Sequence, residues 1–205
     1  MTNKKIKTAK RKNQNFFSQN FKEGLQYIKQ SRNFIYVASA IFILFIFVGY
    51  FVPAPQSLEK VILKFIEDLI KTTEGMSWTE LTNFILFNNL KSSFFGMALG
   101  VVFGIFSVLT TLANGYLLGF VSSRIVGTEG IAILWKLFPH GIFEIPAMLI
   151  SVGLGLKLGT FIFKKKKFES LKEYSWKSLK AFFFVVVPLL VVAALIEGTL
   201  IIFFG

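Results

Sequence analysis

Apolar residues fall along this chain into five long runs separated by short polar stretches. Each run has about 18 or more residues with few charges, which is long enough for an α-helix to cross the roughly 30 Å hydrocarbon core of a bilayer. The predicted spans are residues 34–52, 82–106, 108–126, 139–163 and 181–204. The pattern therefore predicts an all-α fold, a polytopic transmembrane helix bundle with about five spans and additional amphipathic helices.

The boundary between the second and third spans is weakly marked, because residues 81–126 are apolar almost throughout. This stretch is too long for one crossing, so we place a tight turn near Ser107 to Thr111. The start of the second span is clearer. Ser77 and Glu80 have the N-cap and N3 spacing of a capping box, which predicts a helix that begins just after Ser77.

Residues 57–72, between the first two spans, are apolar on one face only. Leu58, Val61 and Phe65 recur at helical spacing among charged residues, which is typical of an amphipathic helix. We expect this helix either to lie at the external membrane interface or to dock on the bundle.

Residues 1–33 form a basic arm that carries nine Lys and Arg against one acid, Glu23. Phe17, Phe21 and Leu25 fall at helical spacing within it, which predicts a basic amphipathic helix on the membrane face. Such a helix would bind anionic lipid headgroups. A solvated arm ahead of the transmembrane domain, residues 34–205, is the alternative.

Composition agrees with a membrane protein, since 54% of the 205 residues are hydrophobic and the mean hydropathy is +0.62. The net charge of +12 raises the question of nucleic-acid binding. However, the basic residues cluster beside the spans, as they do in the cytoplasmic segments of membrane proteins. We therefore expect the lipid bilayer, and not nucleic acid, as a partner. The lack of cysteine excludes disulfides and thiolate-bound metals.

The distribution of charge also predicts an orientation. The basic arm and residues 164–180, which we expect to form a loop, hold nine and seven basic residues against three acids in total. Residues 53–83, by contrast, hold three basic and five acidic residues. Basic segments next to spans remain in the cytoplasm. The chain should therefore be a multi-pass protein of the cell membrane with a cytoplasmic N-terminus and an external C-terminus.

Glycine and other small residues repeat at four-residue spacing in three of the spans. Such repeats allow helix backbones to approach closely in lipid. The glycines concerned are Gly96, Gly100, Gly104, Gly115, Gly119, Gly155 and Gly159. They predict tight packing inside the bundle. A homodimer is the alternative, because the pattern does not say which chain supplies the neighbouring helix.

Ionisable residues inside the spans are the candidates for a functional site, because a charge in the bilayer is costly. His140 and Glu144 are four residues apart and share one helix face. With the predicted orientation, Glu197 lies in the same outer half of the membrane. One imidazole and two carboxylates suit a divalent metal such as zinc.

A structural polar network is the other interpretation of these residues, with Lys91 paired to Glu144 or Glu197. Its further members would be Asn89, Lys91, Asn114 and Arg124. The chain contains no HExxH helix, GxSxG elbow or phosphate-binding glycine loop. The residues thus favour a role other than that of an enzyme, and no catalytic residue is predicted.

Several of these residues together resemble the stage II sporulation protein M family. The resemblance rests on Asn89, Lys91, Gly96 and Gly100, then Asn114, Gly115 and Gly119, then Pro139, His140, Gly141 and Glu144, and finally Ala193, Ala194 and Glu197. It covers residues 34–205 in order and spacing, and the His-Gly-x-x-Glu element is its most specific part.

The resemblance implies an integral membrane scaffold that works with peptidoglycan-degrading partners during engulfment of the forespore. Many relatives, including archaeal ones, occur in organisms without spores, so the resemblance implies the fold more firmly than the process. The Lys-, Ile- and Phe-rich composition is compatible with an archaeal source.

Three functions remain after this step. The first, which we favour, is a scaffold or assembly factor for membrane or envelope proteins still to be identified. The second is a metal-binding protein or metal-dependent membrane hydrolase that uses His140, Glu144 and Glu197 with a bound water. The third is a component of a transporter or channel.

Overall fold

The structure, a computed structural model, describes the backbone of residues 2–130 and 134–204 and the side chains of residues 16–128 and 141–203. Its α-helices are α1 (Thr2–Gln30), α2 (Arg32–Phe51), α3 (Gln56–Thr73), α4 (Trp78–Ala98), α5 (Ile105–Glu129), α6 (Leu134–Gly159), α7 (Lys167–Ala181) and α8 (Val187–Phe204). No strand occurs in the described ranges. Within the described residues, five helical segments are long and apolar enough to cross a membrane, which confirms the predicted all-α bundle.

The α6 helix lies at the centre of the bundle, between two helix pairs. One pair is α2 and α5, the other is α4 and α8, and both pack against α6. Helix α6 is accordingly rich in fully buried residues, including Ala147, Val152 and Leu154. A functional site inside the bundle is therefore expected to include residues of α6.

Glycines allow backbones to touch, both where α6 meets the end of α4 and between α2 and α5. A Cβ atom added at Gly100 would overlap the carbonyl group of Gly155, and one at Gly159 would overlap the backbone of the turn before α5. Between α2 and α5, a Cβ atom at Gly119 would overlap the carbonyl oxygen of Ile46. Backbones that approach this closely gain the packing interactions that hold helices together in lipid.

The turn between α4 and α5 lies at Val102 to Gly104, and the expected turn near Ser107 to Thr111 is wrong. Helix α4 ends in a short 3₁₀ segment, after which Gly104 takes a left-handed conformation with φ of 74°. Ser107 lies inside α5, where its hydroxyl donates to the carbonyl oxygen of Gly96 at 2.6 Å. The turn ends at Gly104, because glycine adopts positive φ without steric cost.

The segment 164–180, which the sequence predicted to be a loop, is mostly helical. Helix α7 begins at Lys167 and continues into α8 through one π-helical turn, Phe182–Val186. The Lys177 ammonium lies 2.5 Å from the Glu173 carboxylate one helical turn earlier. Such pairs at i and i+4 stabilise an exposed helix, so the high lysine content does not prevent helix formation.

The two predicted amphipathic helices differ in how they meet the bundle. Helix α1 packs along α7 and the π-helical turn, where the ring of Phe17 lies 5.3 Å from that of Phe184. Helix α3 makes few contacts with the other helices, and Ile62 is its one buried residue. Helix α3 is therefore an appendage of the bundle, whereas α1 is part of its packing.

Candidate functional site

Polar side chains from three helices meet between α4, α6 and α8. The Glu144 carboxyl of α6 faces the side-chain amide of Asn89 on α4, which can donate a hydrogen bond to it. Glu197 of α8 lies close enough to Glu144 for the two carboxyl groups to interact electrostatically. We call Asn89, Glu144 and Glu197 the carboxyl cluster.

The residues of the carboxyl cluster are half-buried, and their hydrogen-bonding groups are only partly paired. The Oε2 atom of Glu197 is buried and has no hydrogen-bond partner among the described residues, and the same is true of Thr82 Oγ1 on the neighbouring part of α4. Within those residues neither carboxyl forms an ion pair with Lys or Arg. Two interacting carboxyl groups with little access to water favour the uptake of a proton or a cation. The cluster can therefore take up positive charge.

The ends of α4 and α8 are fixed beside the carboxyl cluster. The indole Nε1 of Trp78, at the start of α4, donates to Thr199 Oγ1 near the end of α8 at 3.1 Å. The predicted capping box is confirmed, because the side chains of Ser77 and Glu80 each bond the other's backbone N–H. These contacts hold α4 and α8 in an antiparallel alignment, with Gly198, next to Glu197, against Thr82 of α4.

The third predicted metal ligand, His140, belongs to the backbone of α6, but its side chain lies outside the described residues. The described side chains include no group of three or more His, Cys, Asp or Glu that could hold a metal ion. The structure thus brings Glu144 and Glu197 together, and the metal set of His140, Glu144 and Glu197 stays a prediction.

The other predicted network residues lie away from the carboxyl cluster. Asn114 donates to the carbonyl oxygen of Thr110 on its own helix at 2.8 Å, and Arg124 pairs with Glu59 of α3. Lys91 forms no ion pair with either carboxyl in the part of the chain that the structure describes. It lines a groove on the outer surface of α4 and α5. The Lys91 pairing is wrong, because two residues along a helix turn a side chain by about 200°, so Lys91 points away from the face that carries Asn89.

A second polar group, which sequence analysis missed, surrounds Lys157 at the opposite end of α6. The Lys157 ammonium bonds Ser31 Oγ at 3.1 Å and lies 4.0 Å from the ring centre of Tyr27. The Tyr27 side chain is 97% buried beside Ser178 on α7, and burial raises the pKa of its hydroxyl to about 12. A lysine inside the predicted span 139–163 was the available signal, by the same reasoning that selected Glu144.

The family model of stage II sporulation protein M matches residues 38–200. The chain belongs to the stage II sporulation protein M family. The match includes the carboxyl cluster and all five spans in whole or in large part. The resemblance stated from the motifs is therefore confirmed at the level of the family.

Two archaeal proteins are similar to this family member, both from Methanocaldococcus jannaschii. An uncharacterized protein is 36% identical over 118 residues, which are 55% of this chain and 66% of the relative. Another uncharacterized protein is 33% identical over 108 residues, which are 50% of this chain and 49% of the relative. The chain thus spans less than two thirds of the length of either. No solved structure gives a significant match.

Proposed function

We propose that this protein is a membrane scaffold that holds envelope or membrane proteins together through surfaces presented by its bundle. The observation that carries the proposal is the exposed apolar face of α3, which has few contacts with the bundle. This helix shows Val61 65% exposed and Phe65 48% exposed, and the Arg124–Glu59 ion pair connects it to α5. An amphipathic helix with few contacts to its own bundle has an apolar face available for another molecule.

A photo-crosslinking residue placed at Val61, in membranes of the native host, tests this proposal. We expect adducts with one or a few discrete proteins, which disappear when Phe65→Glu is added on the same face. The matched control is the same probe at Tyr36, which is 66% exposed on the surface of α2. Lipid adducts alone at Val61 would show that α3 is a membrane-surface anchor and would overturn the scaffold role of this helix.

Anionic lipid is the partner that we propose for α1. Phe16 is 63% exposed and Phe17 is 54% exposed beside the basic residues of the arm. Aromatic and basic residues on one helix are typical of binding to an anionic membrane surface. Tighter binding of a peptide of residues 1–33 to vesicles with 30% phosphatidylglycerol than to phosphatidylcholine vesicles would support this assignment, and equal binding would contradict it.

The carboxyl cluster favours a second candidate function, cation or proton binding inside the membrane. The observation in its favour is the buried Glu197 Oε2 without a partner in the described residues, next to Glu144. With His140 added, the cluster would supply the ligands for zinc in a metal-binding protein or metal-dependent hydrolase. Without a metal, it would serve a transporter or channel as a proton or cation site.

Zinc content and melting temperature of the wild type, His140→Ala and Glu197→Gln distinguish these roles. If a metal is bound, we expect both variants to lose it and a chelator to lower the melting temperature of the wild type alone. If the cluster is structural, Glu197→Gln should raise the melting temperature slightly, because a neutral isostere removes one of two adjacent buried acids. A protein that holds no metal and ignores the chelator would rule out the metal sites.

A further inference from the structure

A polar groove lies on the lipid-facing surface between α4 and α5, away from the carboxyl cluster. It has a volume of about 300 Å³, and its polar lining is Asn88, Lys91, Ser92 and Thr110, with Phe95 and Phe106 at its apolar end. Lys91, Asn88, Phe95 and Phe106 are exposed on the outside of the bundle. We call this feature the α4–α5 groove.

The polar groups of the α4–α5 groove have few partners of their own. In the described residues Asn88, Lys91 and Ser92 form no side-chain hydrogen bond or ion pair, while Thr110 bonds the carbonyl oxygen of Phe106. A lysine at the centre of a spanning helix is costly when nothing compensates its charge. The groove therefore presents three groups to the bilayer: the uncompensated charge of Lys91, the side-chain amide of Asn88 and the hydroxyl of Ser92.

Lys91 lies too deep for a lipid headgroup to reach it easily. Thirteen residues separate it from Trp78 and ten from Val101 at the other end of the helical segment, which at 1.5 Å per residue is about 20 Å and 15 Å. A lysine side chain reaches only part of either distance, and snorkelling is typical of lysines near helix ends. An occupant that stays at this depth is favoured.

A second copy of this chain does not fit the groove. A symmetric contact through α4 would place Lys91 against Lys91 of the other copy, and like charges repel. The carboxylates of the predicted spans in the described residues, Glu144 and Glu197, interact with each other between α4, α6 and α8. They are not presented on the lipid-facing surface. We therefore expect the carboxylate that compensates the charge of Lys91 to come from a different protein.

We propose that the α4–α5 groove binds a membrane-spanning helix of another protein that carries one Asp or Glu at mid-depth. The carboxylate pairs with Lys91, and Asn88 and Ser92 supply hydrogen bonds, since polar side chains join helices in lipid. Phe95 and Phe106 pack on the apolar remainder of the partner helix. This inference rests on the proposed scaffold function and adds the surface and the chemistry by which the scaffold holds its partner.

The test uses a synthetic leucine-alanine transmembrane peptide with one central Glu, and the same peptide with Gln. Association with the protein is measured by energy transfer in phosphatidylcholine nanodiscs at pH 8. We expect the Glu peptide to bind wild type at least about tenfold more tightly than the Gln peptide, the scale of one buried charge pair. Lys91→Gln should abolish this preference, and Lys91→Glu should transfer it to a peptide with a central Lys.

The matched control keeps one positive charge in the membrane but moves it from α4 to α2. In the double variant Lys91→Gln with Ile43→Lys, the lysine sits on the exposed surface of α2, and we expect no preference for the Glu peptide. Three outcomes would overturn the inference: equal binding of the two peptides by wild type, full binding by the double variant, or displacement of the peptide by phosphatidylglycerol. If the inference fails while crosslinks at Val61 persist, the scaffold function stands without this groove.

Discussion

At the scale of single residues, the bundle depends on glycines at which two backbones touch. Gly100 and Gly155 bring the end of α4 against α6, and Gly119 brings α5 against α2. Gly127, by contrast, has no atom within 4 Å of where a Cβ would be. A glycine is therefore needed for close packing at Gly100, Gly119 and Gly155 but not at Gly127.

We expect Gly100→Ala to lower the melting temperature in detergent and Gly100→Leu to lower it further, because the added atoms must displace the backbone of Gly155. Overpacking of this kind costs about 1–3 kcal/mol. Gly127→Ala is the control, and it should be neutral or stabilising by about 0.5–1 kcal/mol, since alanine favours a helix over glycine. Equal melting temperatures for Gly100→Ala and wild type would contradict the close contact.

Residue-level predictions from the sequence rested on depth in the membrane, and the Lys91 pairing failed because it also depended on the rotation of α4. Glu144 and Glu197 were placed at similar depth, and the structure brings them together. Asn89 and Lys91 were also placed at similar depth, yet they point to different sides of α4, because hydropathy does not fix the rotation of a helix that is apolar on most sides. In the sequence Gly104 was indistinguishable from the packing glycines, although the structure gives it the positive φ of a turn residue.

At the scale of elements, the ion pair between Arg124 and Glu59 is the main polar link from α3 to the spans. We expect Arg124→Gln to increase hydrogen exchange in α3 without lowering the global melting temperature by much. The pair is partly exposed, at 58% for Arg124 and 28% for Glu59, and such pairs contribute about 1 kcal/mol or less. Lys71→Gln, which removes an ion pair within α3, should leave exchange in α5 and the attachment of α3 unchanged.

The contact between α1 and α7 should respond to acid. Lys180 bonds the Glu23 carboxylate at 2.6 Å and, with Gln19, holds the pKa of Glu23 below its ordinary value of 4.5. A lowered pKa means that the stabilisation is complete above pH 4.5 and is lost as the pH falls through the lowered value.

Spin labels at Lys22→Cys and Lys172→Cys can follow this contact between pH 7 and pH 3. We expect the distance distribution to broaden below pH 4.5 in wild type. In Glu23→Gln it should already be broad at pH 7 and change little with pH. An acid response of the same size in Glu23→Gln would assign the effect to other groups.

The predictions of helices and loops were based on the hydropathy and charge of each segment. Spans were found because long apolar runs have few other stable structures in a bilayer. Helix α7 was assigned to a loop because seven lysines in residues 164–180 matched the pattern of a cytoplasmic connection. Its helical structure depends on i,i+4 pairs such as Glu173 with Lys177 and on packing against α1, and a charge count does not detect such contacts.

At the scale of the whole molecule, the five spans confirm a multi-pass protein, and the orientation stays a prediction. We expect a membrane-impermeant thiol reagent, added from outside the cell, to label Glu74→Cys and to spare Glu173→Cys until the membrane is opened. The reason is the excess of basic residues beside α1 and α7. The chain has no native cysteine, so each variant reports one site. The opposite labelling pattern would reverse the orientation and would place the carboxyl cluster in the inner half of the membrane.

The pairing of α2 with α5 has a consequence for the order of biosynthesis. Helix α2 contacts α5 more extensively than any other helix, through Gly49, Gly115 and Gly119. A ribosome must add residues 52–104 after α2 before the first residue of α5 exists. Because chains emerge from the N-terminus, the glycine-bearing face of α2 meets lipid or the insertion machinery first. The backbone contacts between α2 and α5 are therefore made late, after α2 has already crossed the membrane.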